Sequence, residues 1–443
     1  MDLKSLSRAV LSAALATTLS VAPAFARAPA PDTKPATGTK PAEAMKPASD
    51  TKPTEAVKPA SDTKPTEVAK PTEVVKPQPQ VAPNQTQGAR PEIEVVFVLD
   101  TTGSMGGLLE GAKRKIYSIA SRIAQGRPTP HLKVGLVAYR DVGDDYVTKR
   151  FDLSDDLDTV FANLRRFEAN GGGDAPEHVG RGLGEAVSKL SWSQNREVMK
   201  VIFLVGDAPP AERHDEWNFK TWAKRAKDKH IVVNTVRCGS DGETEVAWRH
   251  VAKLTDGTFD SIDQSGGMVA VATPYDAELA KVNSELASKT LYTGRAEVQA
   301  VNRARADAMA GLAPEAAAER ISYMKKTRAA AKSTGAVAAA PAMESSAPAA
   351  VGGAVDLVEA PAALASVKSD ELPVELKGLS KDEQAAKVKQ LAEEKKVLEA
   401  KAAKLAADRD SWLSKNVAEK DDAFDANVMR GVKAQASKHG IAY

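Results

Sequence analysis

One cysteine in 443 residues, Cys238, rules out an intramolecular disulfide, so the fold must rest on its own core. Cys238 ends the apolar run IVVNTVRC, and a thiol there reads as a small core residue, not a reactive group. Aromatics are only 5% and alanine tracts are long, so much of the length has to be linker or simple helix. Charge of one sign is lacking too. The 61 basic and 59 acidic residues leave +2, without a basic stripe or interleaved aromatics, and this excludes the footprint of a nucleic-acid binder. His178, His214, His230 and His250 are scattered without metal-ligand spacing, and Ser104 has no evident histidine partner. No hydrolytic constellation is legible.

Near the start, Lys4 and Arg8 precede an apolar stretch from Ala9 to Ala22 that is short for a bilayer span. Ala24-Phe25-Ala26 then offers a small-x-small cleavage site. The expectation is an export signal over 1–26, leaving no transmembrane span after cleavage and a periplasmic or envelope-associated protein. Residues 27–90 follow as a Lys/Pro-rich linker. KPASDTKPTEAV at 46–57 is repeated as KPASDTKPTEVA at 58–69. Frequent prolines and alternating charges predict a solvated, extended spacer rather than a core, at up to about 3.1 Å per residue.

From 91 to 290 the texture changes to apolar runs alternating with amphipathic segments. IEVVFVL (93–99), KVGLVAY (133–139), KVIFLVG (200–206) and IVVNTV (231–236) read as strands buried on both faces. Leu109, Ala112, Ile116, Ile119, Ala120 and Ile123 mark one face of a helix between the first two. Together they predict an α/β domain with a doubly wound, mostly parallel sheet, framed by the Pro-rich linker and by C-terminal helical segments. Residues 291–335 read as a helical extension, 336–372 as an Ala/Pro-rich linker and 373–443 as helical. In the last segment Leu391, Leu398, Leu405 and Trp412 recur every seven residues, while the alternate seam, Val388, Lys395, Ala402 and Arg409, looks poor. Two readings stand: a short coiled coil or partner-packing helix that could make a homo-oligomer, or an amphipathic helix folded on its own neighbours.

Ligands of an open parallel sheet collect at the carboxyl ends of its strands. Three loops here carry oxygen donors at such places: Asp100, Thr102 and Ser104 in DTTGS; Asp174 and Glu177 in GGGDAPE; Asp207 in GDAPP. Carboxylates and hydroxyls are hard donors suited to Mg²⁺, Mn²⁺ or Ca²⁺. Contributions from separate loops would leave a coordination position open, which a partner's carboxylate could fill.

In this order the motifs DTTGSMGG, VAYRD, GGGDAPE and FLVGDAPP resemble a von Willebrand factor type A domain of the bacterial exported type, over about 200 residues. The resemblance implies a metal-ion-dependent adhesion site with Asp100, Thr102 and Ser104 in its first loop and Asp207 in its third. The second loop resembles the integrin β-subunit version, which implies Glu177 as a ligand of the central metal. Asp174, the Pro176 carbonyl and Asp141 would then face a neighbouring cation. Gly172 stands where that version has asparagine, and the acidic pair after Ser104-Met105 is missing, so one or two metals are implied and not three. The resemblance also implies that a shift between ligand arrangements could switch affinity, and the last helix of the domain, around 268–283, would be the element to move.

Two other readings compete with a non-enzymatic protein-binding module that accepts an Asp or Glu from its partner. Asp-x-Thr-Gly-Ser also resembles the nucleophile loop of haloacid-dehalogenase-type phosphatases, in which Asp100 would form an aspartyl-phosphate with Mg²⁺. Against this, a helix begins within a few residues of Asp100, Thr102 cannot serve as the acid expected two residues on, and GGGDAPE has no role. The third reading is an envelope spacer whose metal loops are non-functional.

Overall fold

The computed structural model describes residues 90–173, 176–212, 216–264, 271–333, 350–416 and 424–443. The export signal, the Lys/Pro spacer, Asp174 and His214 lie outside the described residues. Among the described residues no helix is long and apolar enough to cross a membrane.

Six strands form one sheet: β1 (Glu92–Asp100), β2 (His131–Tyr139), β3 (Thr148–Ser154), β4 (Met199–Gly206), β5 (Val232–Cys238) and β6 (Phe259–Ile262). Their order is β3-β2-β1-β4-β5-β6, parallel except for the β2–β3 pair. The four apolar runs are therefore strands of a parallel sheet, as their composition predicts. β3 and β6 were not anticipated. TKRFDLS alternates polar and apolar residues on an exposed edge, and FDSI is four residues long, so neither presents the apolar run that marks a central strand.

Alternation along β1 shows why its run is continuously apolar. Ile93, Val95, Phe97 and Leu99 join the core on one face, and Val96 and Val98 join the core on the other. The first face is covered by α1 (Gly106–Ile123) and α2 (Leu157–Leu164), the second by α3 (Val179–Lys189), α4 (Phe219–Asp228) and α5 (Gly242–Leu254). Helix starts follow local chemistry. Asp156, Asn218 and Asp241 each cap one, their side chains accepting from backbone N–H groups of the first turn. Cys238 is fully buried, and burial pushes its thiol well above the usual range, as fits a core residue.

Beyond the sheet lie α6 (Asp276–Ser288), α7 (Ala296–Ala310), α8 (Pro314–Ser333), α9 (Lys381–Asn416) and α10 (Phe424–Ala436). Buried Arg320 of α8 bonds both oxygens of Asp158 on α2 (2.8 and 2.6 Å) and Asn283 of α6 (2.9 Å), and Tyr117 of α1 donates to the same Asp158 (2.8 Å). One charged node thus ties the helical extension to the sheet. Residues 350–372, read as the end of a linker, are packed instead: Leu357 and Val358 are buried in a cluster with Leu291, Leu376 and Val388.

One finding revises the sequence reading of α9. The heptad side of α9 that looked poor is the buried one, with Val388, Lys395, Ala402 and Arg409 all inside. Lys395 pairs with Asp356 and Glu359, and Arg409 with Asp276 (2.7 Å) and Glu319 (2.9 Å), so their charges are neutralised where they are buried. Leu398 and Leu405 stay half-buried, packed on a cluster shared with α6 and α8. A second finding concerns the face beside α1, on which the sequence offers no reading. α6 lays Leu279, Val282 and Leu286 against α8 and α9, α8 packs on α1, and α10, from the other end of the chain, packs on α1, β4 and β5. Its Phe424, Val428, Met429 and Val432 complete the core around Phe97 and Phe203.

Candidate metal centre

β1 and β4 are neighbours, but the chain leaves β1 toward β2 on one side and leaves β4 toward β5 on the other. Loops at the carboxyl ends of these two strands diverge and open a crevice, the usual ligand position of a doubly wound sheet. Asp100 ends β1 and Asp207 follows β4, so the two acids of the first and third loops stand on either side of that switch point.

The first loop is organised by Asp100. Its Oδ1 accepts the Thr102 amide N–H (2.8 Å) and the Thr102 hydroxyl (2.7 Å). Thr102 spends its proton on Asp100, leaving the Oγ1 lone pairs available; Ser104 Oγ lies 3.3 Å away. Asp100 is wholly buried, and its Oδ2 has no hydrogen-bond partner. Two glycines permit the close packing. A Cβ on Gly206 would sit 2.3 Å from the Tyr139 hydroxyl and 3.2 Å from Asp100 Oδ2. One on Gly172, whose φ is +72°, would sit 2.6 Å from Thr102 Cβ and 3.3 Å from Glu177 Oε1. Gly172 therefore brings the second loop down onto the first.

Glu177 is fixed by its backbone before its side chain is considered. Its N–H donates to the Pro209 carbonyl (3.0 Å) and its C=O accepts from Ala211 (2.8 Å), stitching the second loop to the third. The side chain is buried, with Oε2 unpartnered. Asp207 Oδ1 is likewise buried and unpartnered, while its Oδ2 accepts from Gln264.

Three carboxylates from three loops thus each bury one oxygen without a hydrogen-bond partner. Electrostatics follow. Burial, with a contribution from Asp207, raises the Asp100 carboxyl to about 7. Burial, then the charges of Asp100, Asp141, Asp144 and Asp207, raise Glu177 to about 8. Buried polar atoms without partners are costly, and like charges gathered in a low-dielectric crevice more so. A divalent cation relieves both costs at once. Among the described residues no three His, Cys, Asp or Glu side chains stand at ready metal-ligand spacing. A set that mixes two hydroxyls with mutually repelling carboxylates would draw together around the charge it lacks. The donor set fits a hard divalent ion.

Of the residues singled out in the sequence, Asp100, Thr102, Ser104, Glu177 and Asp207 meet at the crevice. Asp141 lies at its edge, close enough to raise Glu177, with its N–H donating to Asp144 Oδ2 (3.3 Å). Asp144 was missed. It sits over the glycine loop, accepting from the Gly172 N–H (3.2 and 3.3 Å). Its signal was the turn DVGDD after β2, where Gly143 at φ +106° sends the chain back over the crevice. Gln264, after β6, was missed as well. His178, buried, follows Glu177 and is the residue before α3.

No curated protein matches the chain. Residues 94–273 match the family model of the von Willebrand factor A domain, a span that includes every residue just described. Among solved structures, the chain is similar to the conserved hypothetical protein BatB from Bacteroides thetaiotaomicron, with 18% identity over 39% of this chain and 90% of that one and a TM-score of 0.28. It is similar to the Rpn10 VWA domain at 17% identity, over 41% and 92% of the two chains, with a TM-score of 0.31. A third similarity is to proximal thread matrix protein 1 from the mussel byssus, whose MIDAS motif is occupied by zinc, at 16% identity over 39% and 42% with a TM-score of 0.31.

Proposed function

We propose that this A-type domain is a divalent-cation-dependent protein-binding module of the cell envelope and that the chain is not an enzyme. Thr102, Ser104 and Glu177 would hold Mg²⁺, Mn²⁺ or Ca²⁺, with Asp100 and Asp207 acting directly or through water. When bound, the cation supplies an electropositive position that accepts an Asp or Glu carboxylate from the partner. This chain's residues build the rest. Asp100 orients Thr102 through two hydrogen bonds, the Glu177 backbone locks the second loop to the third, and Gly172 and Gly206 let the loops approach. Three acids around one ion overcompensate its charge, so affinity for an acidic partner depends on which of them coordinate directly. The sequence over 1–26, which reads as an export signal, and the Lys/Pro-rich composition that follows support a location outside the cytoplasm.

The observation that carries this reading is the trio of buried, unpartnered carboxylate oxygens at the switch point. The phosphatase reading fares worse on the same geometry. Asp100 has no exposed surface and one of its oxygens is held by two donors, which leaves it poorly placed to attack a phosphate.

The test uses the full chain and an immobilised set of acidic peptides beside a set with Asp and Glu replaced by Asn and Gln. We expect binding to the acidic set in Mg²⁺ or Mn²⁺ that disappears in EDTA and in Glu177→Gln. Equal binding to both sets, unaffected by EDTA, would overturn the reading and favour the spacer.

A further inference from the structure

Gln264 lies just past β6, yet its amide reaches back to the loops of three other strands. Its Nε2 donates to Asp207 Oδ2 in the loop after β4 and, at 3.4 Å, to the Ser104 carbonyl in the loop after β1. Its Oε1 lies over Gly239, the residue after β5, where a Cβ would come within 2.5 Å of it; φ there is +78°. The amide is therefore fixed in one orientation. A flipped amide would set its carbonyl oxygen against both the Asp207 carboxylate and the Ser104 carbonyl, acceptor against acceptor.

The two oxygens of Asp207 have different surroundings. Oδ2 is held by Gln264, while Oδ1 is buried and has no hydrogen-bond partner. An acid held by one oxygen cannot rotate freely, so the other keeps a fixed direction. Ligating carboxylates are oriented in this way by hydrogen bonds from behind. Gln264 also tethers the two loops that carry Ser104 and Asp207, so it sets the distance across the crevice as well as the rotation of one acid.

We propose that Gln264 is a positioning residue of the cation site: it holds Asp207 by Oδ2 and anchors its loop to that of Ser104, leaving Oδ1 for the ion. The proposal rests on the cation-binding reading given above. It places a fourth loop, the one after β6, in the site, and it assigns the role to a neutral amide. A cation there would add to the positive charge, and a carboxylate would add to the repulsion.

Titration calorimetry of the full chain with Mn²⁺ tests it, using wild type, Gln264→Ala, Gln264→Glu and Gln264→Asn, with near-ultraviolet circular dichroism to confirm that each is folded. Loss of an orienting bond typically weakens metal binding about 10–100-fold. We expect Gln264→Ala to fall in that range with an unchanged number of sites. Gln264→Glu, similar in size but lacking the donor, should fall at least as far. Gln264→Asn keeps the amide on a shorter stem and should recover part of the affinity. A second readout is a double-mutant cycle of thermal unfolding in EDTA with Asp207→Asn. Gln264→Ala should cost more with Asp207 present than with Asn at that position. Wild-type affinity in the folded Ala and Glu variants would overturn the assignment while leaving the cation site standing. No binding of Mn²⁺, Mg²⁺ or Ca²⁺ by wild type would overturn the cation site itself, and the assignment with it.

Discussion

At the scale of the residue, the metal-free site should cost the fold stability. Asp100 and Glu177 have folded-state values near 7 and 8, above the ordinary carboxylate range. The folded protein therefore binds these protons more tightly than the unfolded chain does, and stability falls as pH rises through the interval between the two states, from about 4 to about 8. Their contribution is most favourable at low pH and is lost toward pH 8. In EDTA, Asp100→Asn should match wild type near pH 5 and exceed it in melting temperature at pH 8, since Asn keeps an acceptor for Thr102 and removes a buried charge. Other carboxylates also titrate, so the quantity to follow is the difference between variant and wild type. A difference that stays constant across this range would contradict the assigned electrostatics. Gly172→Ala is expected to act in the opposite direction. It forces a side chain into a left-handed backbone and onto Thr102, and should cost on the order of 2 kcal/mol in a denaturant titration.

The residue scale also shows how far the sequence could be read. Asp100, Thr102, Ser104 and Asp207 were legible because donors directly after apolar strands have only one place to go. Glu177 was legible through the loop motif. Asp144 and Gln264 were not. Asp144 enters through a turn that folds back over the crevice, and Gln264 through a loop after a short, weakly apolar strand. The turn DVGDD is the one local signal at Asp144, and Gln264 carries none.

Among the elements, α9 departs most from its sequence reading. Heptad leucines drew attention to one side of α9, but the fold buries the side with Lys395 and Arg409, because Asp356, Glu359, Asp276 and Glu319 come from distant segments to meet them. Those partners are invisible to periodicity. Truncating one member of a buried pair leaves the others uncompensated, typically at about 3–5 kcal/mol. Arg409→Ala should therefore lower the denaturation midpoint of the full chain by a corresponding amount, and an unchanged midpoint would show that the node is not buried in solution. α10 makes a second prediction. Phe424, Val428, Met429 and Val432 close the core around Phe97 and Phe203, and each fully buried apolar side chain of this kind contributes about 1.5–3 kcal/mol. Ending the chain after Asn416 should strip a face of the sheet, giving increased dye binding by exposed apolar surface and a broad unfolding transition. A sharp, wild-type transition from that truncation would show that α10 is dispensable.

At the scale of the molecule, the boundary drawn from sequence near residue 290 separates segments that the fold joins. The mostly parallel sheet and the ligand-bearing ends of its strands were readable because apolar runs and loop chemistry are local. The closure of the core by α10, and the Arg320 node that fastens α8 to α2, depend on contacts across more than a hundred residues. The unit that folds around the site therefore extends past residues 94–273 to the C-terminal helix.

The central claim is that the crevice is a cradle for a divalent ion. Its most direct test is thermal unfolding of the full chain in EDTA, Mg²⁺, Mn²⁺ and Ca²⁺, beside Asp100→Asn and Glu177→Gln. A ligand bound only by the folded state raises stability by RT ln(1 + [L]/Kd), about 2.7 kcal/mol at a hundredfold excess over Kd. We predict a saturable rise in melting temperature for wild type with at least one of these ions, absent in both variants. The same melting temperature in EDTA and in every cation would contradict the claim.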